Sequence, residues 1–426
     1  MSEIPPGVAP SSRSWLGIAR EIGGNGVSGQ GTPVLPTNTI PLDKSSYEVE
    51  DMPKFLEDLA IRGSMSHRFA DVLGVEDATF SFGGPVFGDV WPFFFDNLFG
   101  DLSTTGSSPS NGTNITNSGG VAVGGTTVTV ASTTGYTNSS VVQIDSGSVS
   151  EVVVLNASGG TAGGTALVFS DYPLRFAHGS AATVTTVSGP YTHTFNVLNS
   201  TLGYGGMPGA QPPTHSLSDN TYLTPGVYAR TYPGACVGQI EITGNSESLF
   251  MAKASGNSWE SAPASTIPTN TTTFTVPLPN WRSQITIGTV PIYDIGEYTV
   301  TLKREMSVYW TEQNAQSPFI IARGDLDASG AVKFTVPSDE TALNYMLNNT
   351  QPPVNIVVSN GGSATSLIQF TLNAHQAAFV KAKPNRSGVL IGYDTEYRTE
   401  ANTTNAGGSG GLGQFTVTIE NDTAAY

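Results

Sequence analysis

The chain has 426 residues, with 18 lysines and arginines against 34 aspartates and glutamates, a formal net charge of −16. Charged residues make up 12%, against about 25% in ordinary soluble domains, while 49 glycines and 27 prolines exceed their usual shares of about 7% and 5%. With 38% apolar residues the chain is not wholly disordered, and its acid excess argues against nucleic-acid binding by charge.

No run approaches the ~18 apolar residues of a membrane span, and the opening Met-Ser-Glu-Ile-Pro-Pro lacks a signal-peptide profile. The single Cys236 allows neither an internal disulfide nor a cysteine-rich zinc site, and reads as a small buried residue. The polar excess is Ser, Thr, Asn and Gly, which together with abundant Val predicts a mainly β protein punctuated by turns.

Residues 1–50 read as a low-helix arm. Trp15, Leu16 and Ile18 are its apolar anchor, either in a disordered tail or in an extended arm that lies on a neighbouring subunit. Asp51 to Phe69 contains a short helical candidate at Phe55, Leu56 and Leu59. Thr79–Phe82 alternates as a strand, and Asp89 is placed to cap a helix whose stripe is Val90, Trp91, Phe94, Phe95, Leu98 and Phe99, with Pro92 in its first turn.

The Ser/Thr/Asn/Gly-rich stretch 103–118 reads as a linker. Five short alternating segments follow, at 126–131, 140–145, 151–155, 165–169 and 181–187, and predict a small all-β domain over 107–188, inserted into a loop of the main domain.

Outside the insert the pattern recurs. Strand Phe80/Phe82, helix 89–100 and strands at 191–198, 240–242 and 248–254 align with strand Phe334/Val336, helix 338–349 and strands at 354–358, 370–372 and 377–383. Ser338 is the expected cap of the second helix, with Asp339 and Glu340 in its first turn. The organisation predicted is an arm at 1–50, a first repeat at 51–106 and 189–260, the insert at 107–188, and a second repeat with a C-terminal extension at 261–426.

Catalytic chemistry finds no footing. There is no phosphate-binding glycine loop, and His67, His178, His193, His215 and His375 are scattered. Asp325-Leu-Asp327-Ala-Ser329-Gly330 imitates a calcium loop, but its twelfth position is Val336, so a turn between strands 318–322 and 331–336 is expected. No catalytic, cofactor-binding or metal residues are predicted, and the chain reads as a non-enzyme.

Several stretches resemble the major tail tube proteins of long-tailed phages, especially those of actinobacteria. They are Pro53–Asp58 with Arg62-Gly63-Ser64-Met65, Phe82–Asp89 before an aromatic helix, Pro190–Phe195, Gln211–Thr214, and Ile391–Glu396. The likeness covers residues 12–105 and 189–420. The insert resembles a small β module of varied phage structural proteins, centred on Thr127–Val130 and Tyr172–Leu174.

The resemblance implies a β-sandwich or half-barrel with packed short helices, assembling with copies of itself into stacked rings of a virion tail made in the host cytoplasm. Two units per chain imply three copies per ring rather than six. The tube is built around a tape-measure protein, meets tail terminator and tail-tip proteins, and conducts DNA through an acidic lumen without specific binding and without a membrane. Candidate inter-subunit contacts are Trp15, Leu16, Ile18, Lys54, Phe55 and Arg62. Removing residues 1–45 is expected to leave a folded subunit that cannot build long tubes. The rival readings are a capsid decoration or tail-tip component, and a glycan-binding surface protein.

Overall fold

Alternating apolar and polar residues become strands throughout the chain, because a period of two sends every second side chain to the same face. The computed structural model describes residues 13–21, 30–41, 43, 46–60, 62, 65, 67–156, 165–199, 211–223, 226–271, 273, 275–335, 340–386 and 389–426.

In chain order, β1 (Trp15–Arg20), β2 (Asn38–Ile40), β3 (Glu48–Asp58) and β4 (Ala70–Pro85) precede helix α1 (Trp91–Phe99). Then come β5 (Gly100–Asn114), β6 (Thr127–Thr129), β7 (Val141–Ile144), β8 (Glu151–Val154), β9 (Ala166–Val168) and β10 (Thr183–Val197). The middle of the chain holds β11 (His215–Leu223), β12 (Gly226–Asn245), β13 (Met251–Ser258), β14 (Ala262–Pro263), β15 (Gln284–Ile287) and β16 (Val290–Ile292). Two long strands, β17 (Ile295–Tyr309) and β18 (Ile320–Phe334), lead to α2 (Thr341–Leu347). The last strands are β19 (Val354–Ser359), β20 (Gln369–Ala374), β21 (Ala377–Asn385), β22 (Gly392–Thr399) and β23 (Phe415–Asn421).

One layer is an antiparallel sheet of eight strands in the order β3-β4-β13-β12-β17-β18-β22-β21. The first half of β12 leaves this layer to pair with β11 and β14, and β1 and β2 continue from β11. The second layer runs β16-β15-β19-β20-β23-β10-β7-β8, with β5 also on β10. Phe82, Ile240, Val300, Leu302 and Val332 of the first layer share one core with Phe195, Phe370, Leu372 and Val417 of the second.

The eight-stranded sheet contains the same four-strand unit twice. In β3-β4-β13-β12 and in β17-β18-β22-β21 the first two strands form a hairpin, a helix follows the second, and that helix packs on the fourth, α1 on β12 and α2 on β21. This order moves the repeat alignment by one strand. Gln239–Thr243 lies in β12 of the first layer, whereas Gln369–Asn373 lies in β20 of the second, so the two do not correspond. The slip comes from 103–118, which is largely strand rather than linker. Its Ser and Thr side chains suit a ladder against β10, and Ser103 and Thr104 are buried.

Other expectations are corrected by pairing. Phe55, Leu56 and Leu59 do not form a helix. Phe55 opposes Leu73 and Leu56 opposes Val72 in the β3–β4 ribbon, where backbone pairing with β4 overrides local spacing. Asp325–Gly330 is not a turn, because Asp327 opposes Lys303 and Ala328 opposes Leu302 inside a continuous β18. The helix α1 is capped at Val90 without a side-chain bond, not by Asp89, while Pro92 does sit in its first turn. Ser338 and Asp339 lie outside the described residues.

Residues 15–20 are an integral strand rather than a detached arm. Leu16 and Ile18 are in the core, and Glu21 beyond them is buried with bonds from Thr214, Ser216 and Gly234. Removing 1–45 would therefore strip both β1 and β2 from the strands that continue from β11.

All nine residues of α1 are buried, including two polar ones. Asn97 donates to His215 Nδ1 (2.7 Å) and the Ala235 carbonyl (2.8 Å), and its Oδ1 accepts from Val237 N (2.7 Å) and Arg323 Nη1 (2.9 Å). Asp96 accepts two bonds from Arg175, at 2.6 and 2.9 Å. Arg175 belongs to the region with its own apolar core, formed by residues such as Val128, Ile144, Leu167 and Phe169. Glu151 of β8 orients this loop by accepting from the Arg175 and Phe176 amides and from His178.

Breaking a buried ion pair strands its partner charge. Arg175→Met is expected to cost about 3–5 kcal/mol, with Asp96→Asn in the same chain returning much of it, as read by thermal denaturation.

The buried histidines predict opposite pH dependences. Burial holds His193 down to about 4 and His215 to about 3, so their contribution falls as pH drops below 6.5, where the unfolded chain takes up protons first. Burial also opposes the charged form of His178, but the bonds and charges of Glu151 and Asp145 outweigh it and raise its pKa. Its stabilisation is complete below 6.5 and is lost as pH rises through the folded value. His178→Gln should thus lower Tm more at pH 6 than at pH 9, and the parent Tm should fall between pH 6.5 and 4.

Candidate assembly surfaces

The candidate contact residues do not gather in one place. Leu16 and Ile18 are interior, which removes them from any surface contact, and Trp15 is half-buried on the same strand. Lys54, Phe55 and Arg62 belong to the ribbon formed by β3 and the start of β4. Beyond Ala78 no further strand among the described residues pairs with this ribbon.

Its apolar side chains are exposed on both faces: Phe55 by 59% and Leu73 by 58% on one, Leu56 by 61% and Val72 by 56% on the other. A lone two-stranded ribbon is marginal in water. Here it is braced by Lys54 Nζ, 3.7 Å from the centre of the Trp310 ring, by Gln316 Nε2 donating to the Gly74 carbonyl (2.7 Å), and by Glu76 N donating to the Gln316 carbonyl (3.0 Å). Arg62 bonds Asp58 and stands over Phe69 at the tip. Val72, Leu73 and Trp310 escaped the sequence reading, and Leu56 entered it as part of a helix rather than as a contact. Only the alternation on either side of Pro53 could have marked a strand there.

The opposite end of the eight-stranded sheet is apolar too. Strand register puts Pro85, Met251, Asn245, Glu297, Lys333, Asp394 and Lys383 at that end. Near it Trp281 and Tyr293 are exposed beside a cavity of ≈ 400 Å³ walled by Ile285, Ile292 and Tyr298, and Val389, Leu390 and Ile391 are exposed after β21.

One face of the eight-stranded sheet is core, and the other is polar. Across it Glu241 opposes Lys253, Lys303 opposes Asp327, and Glu297, Lys333, Asp394 and Lys383 form a continuous row of alternating sign. Lys333 Nζ lies 2.6 Å from Glu297, and Lys381 bonds Glu396. The chain's acid excess is thus not concentrated on this face, since most of its cations meet a carboxylate on the next strand.

The two helices differ in cover. All of α1 is buried, whereas only Ala342 of α2 is, and Leu347 is largely exposed. Among the described residues no group of three His, Cys, Asp or Glu side chains is placed to hold a metal, and no helix is long and apolar enough to cross a membrane. Cys236 is buried, its thiol raised in pKa by burial and 3.4 Å from Gln30 Nε2.

A layered antiparallel sheet with a polar open face, free edges and apolar ends is the build of a structural, self-assembling subunit. The chain belongs to the phage tail tube protein family, which matches residues 29–421. No curated protein matches it. Membership makes it a structural virion component of the phage tail that assembles with itself and associates with other tail parts.

Since both ribbon faces are solvent-exposed in the subunit, Leu56→Asp with Leu73→Asp should change stability by no more than about 0.5 kcal/mol. Tube formation should nevertheless be lost, as checked by Tm together with negative-stain microscopy.

Proposed function

We propose that three copies of the chain close a ring with pseudo-sixfold symmetry, and that stacked rings make a tube through which the genome passes. The observation that carries this reading is the twofold recurrence of the four-strand unit within one continuous sheet. A neighbouring copy continues that sheet without a change of rule. Eight strands alternate in direction, so β3 and β21 run oppositely, and the next copy's β3 meets β21 antiparallel.

The helices support the same closure. Within the chain, α1 sits at the junction with the second unit and touches Phe370 of β20 through Phe95 and Arg323 of β18 through Asn97. At the far edge α2 lacks such cover, and the next copy's first unit supplies it.

The polar face of the sheet then lines the lumen, with the second layer outside. A wall whose lysines are held by carboxylates offers phosphates no block of free cations, so DNA gains little by releasing counterions there and slides past. The apolar ribbon at one end and the apolar rim at the other make the stacking contact heterologous and head-to-tail, the arrangement that builds open-ended tubes. The described residues of 107–188, with their separate core, lie on the outer layer through β7 and β8. The tube forms around a tape-measure protein and ends on tail terminator and tail-tip proteins.

Cryo-electron reconstruction of assembled tubes tests the stoichiometry. Three chains per ring are expected, and six identical chains per ring would overturn it.

A further inference from the structure

Resting on the reading of the chain as a ring subunit, we infer that copies select one another through a charged seam, in which Lys381 and Lys383 on β21 of one copy meet Glu48 and Glu50 on β3 of the next. Among the described residues both strands are edges of the eight-stranded sheet, β3 pairing only with β4 and β21 only with β22. All four side chains are exposed and belong to the polar face.

The charge pattern is complementary across this gap. The row Glu297, Lys333, Asp394, Lys383 ends at the edge on a cation, and the row through Glu396 ends on Lys381. At the other edge Glu48 and Glu50 oppose only Ser81 and Thr79, which carry no charge. Placing the carboxylates beside the lysines continues the alternation that the sheet already shows within one chain.

Geometry brings the two pairs to the same level. Within a chain, the row through Glu48 crosses Ser81, Ser255, Gln239 and Lys303 to Asp327, well above Lys383 if the hairpin tips point up. A closed barrel needs tilted strands and a stagger of about one residue per strand, so roughly eight residues per copy.

The hand of that stagger follows from the backbone. Core-facing Val86 aims its N–H at the Phe250 carbonyl, which for L-residues puts β13 to the left of β4 seen from the packed side. Strands of a barrel lean to the right in that view, as their right-handed twist dictates, so a row followed leftwards climbs. It reaches the next β3 some eight residues beyond Glu48, which sets Lys381 and Lys383 against the stretch that starts at Glu48.

Opposite charges directly across a ladder favour pairing and like charges oppose it, so this seam admits the correct edge and register and rejects lysine edge against lysine edge.

Four full-length chains test the seam: the parent, K381E/K383E, E48K/E50K, and the chain with all four reversals. Each reversed pair alone is expected to fold, by its Tm, yet to lower the yield of sedimentable tubes by about tenfold or more. The fourfold chain is expected to recover tubes. Because Lys381 also bonds Glu396 of its own chain, K381Q/K383Q serves as a milder variant that should show a smaller loss in the same direction. Folded E48K/E50K chains that assemble normally, or a fourfold chain no better than either pair, would overturn the seam. A parent chain that makes no tubes would instead overturn the ring reading on which it rests.

Discussion

A helix of nine buried residues carries two polar side chains that must find partners, and much of the molecule is arranged around that need. Asn97 is met by His215, the Ala235 carbonyl, the Val237 amide and Arg323, which ties β11, β12 and β18 to one side chain. Asp96 is met by Arg175 from the region with the second apolar core. A buried polar group left without a partner costs more than its bond contributes when made. These contacts therefore specify how the two layers and the added region meet, while the surrounding Phe82, Phe94, Phe95, Phe195 and Phe370 contribute the bulk of the apolar burial without dictating one geometry.

The eight-stranded sheet solves a second problem. Its packed face is mostly apolar, and where β12 meets β17 and β18 meets β22 the rings of Tyr298 and Tyr397 lie across Gly244 and Gly330. A Cβ at those glycines would come within 2.2 and 2.3 Å of the rings. The same device thus serves once at the junction between the two units and once inside the second. The open face is charged, and its lysines are matched by carboxylates on neighbouring strands.

Much of this was legible in the residues. The strands at Phe80/Phe82, Ile240/Ile242, Val354–Val358 and Phe370/Leu372 and the aromatic helix lie where alternation and spacing put them. The family resemblance rested on turn motifs that bracket those elements. Two misreadings share one cause. The strands β3 and β5 are built from residues whose local preferences are ambiguous, and their strand state comes from a partner, the next strand β4 for one and the distant β10 for the other. The arm failed differently, since six residues around an isolated apolar pair give no sign that β11, two hundred positions on, completes their sheet.

By itself, then, the sequence determined the mainly β character and the family, because composition, period-two patterning and turn motifs are local properties. It also held the net charge of −16 but not its placement. Only the tertiary structure decided that lysines and carboxylates alternate across one open face, that Leu16 and Ile18 are core, and that the repeat is aligned through β5. Register between distant strands sets all three, and a shift of one residue would turn every side chain to the other face.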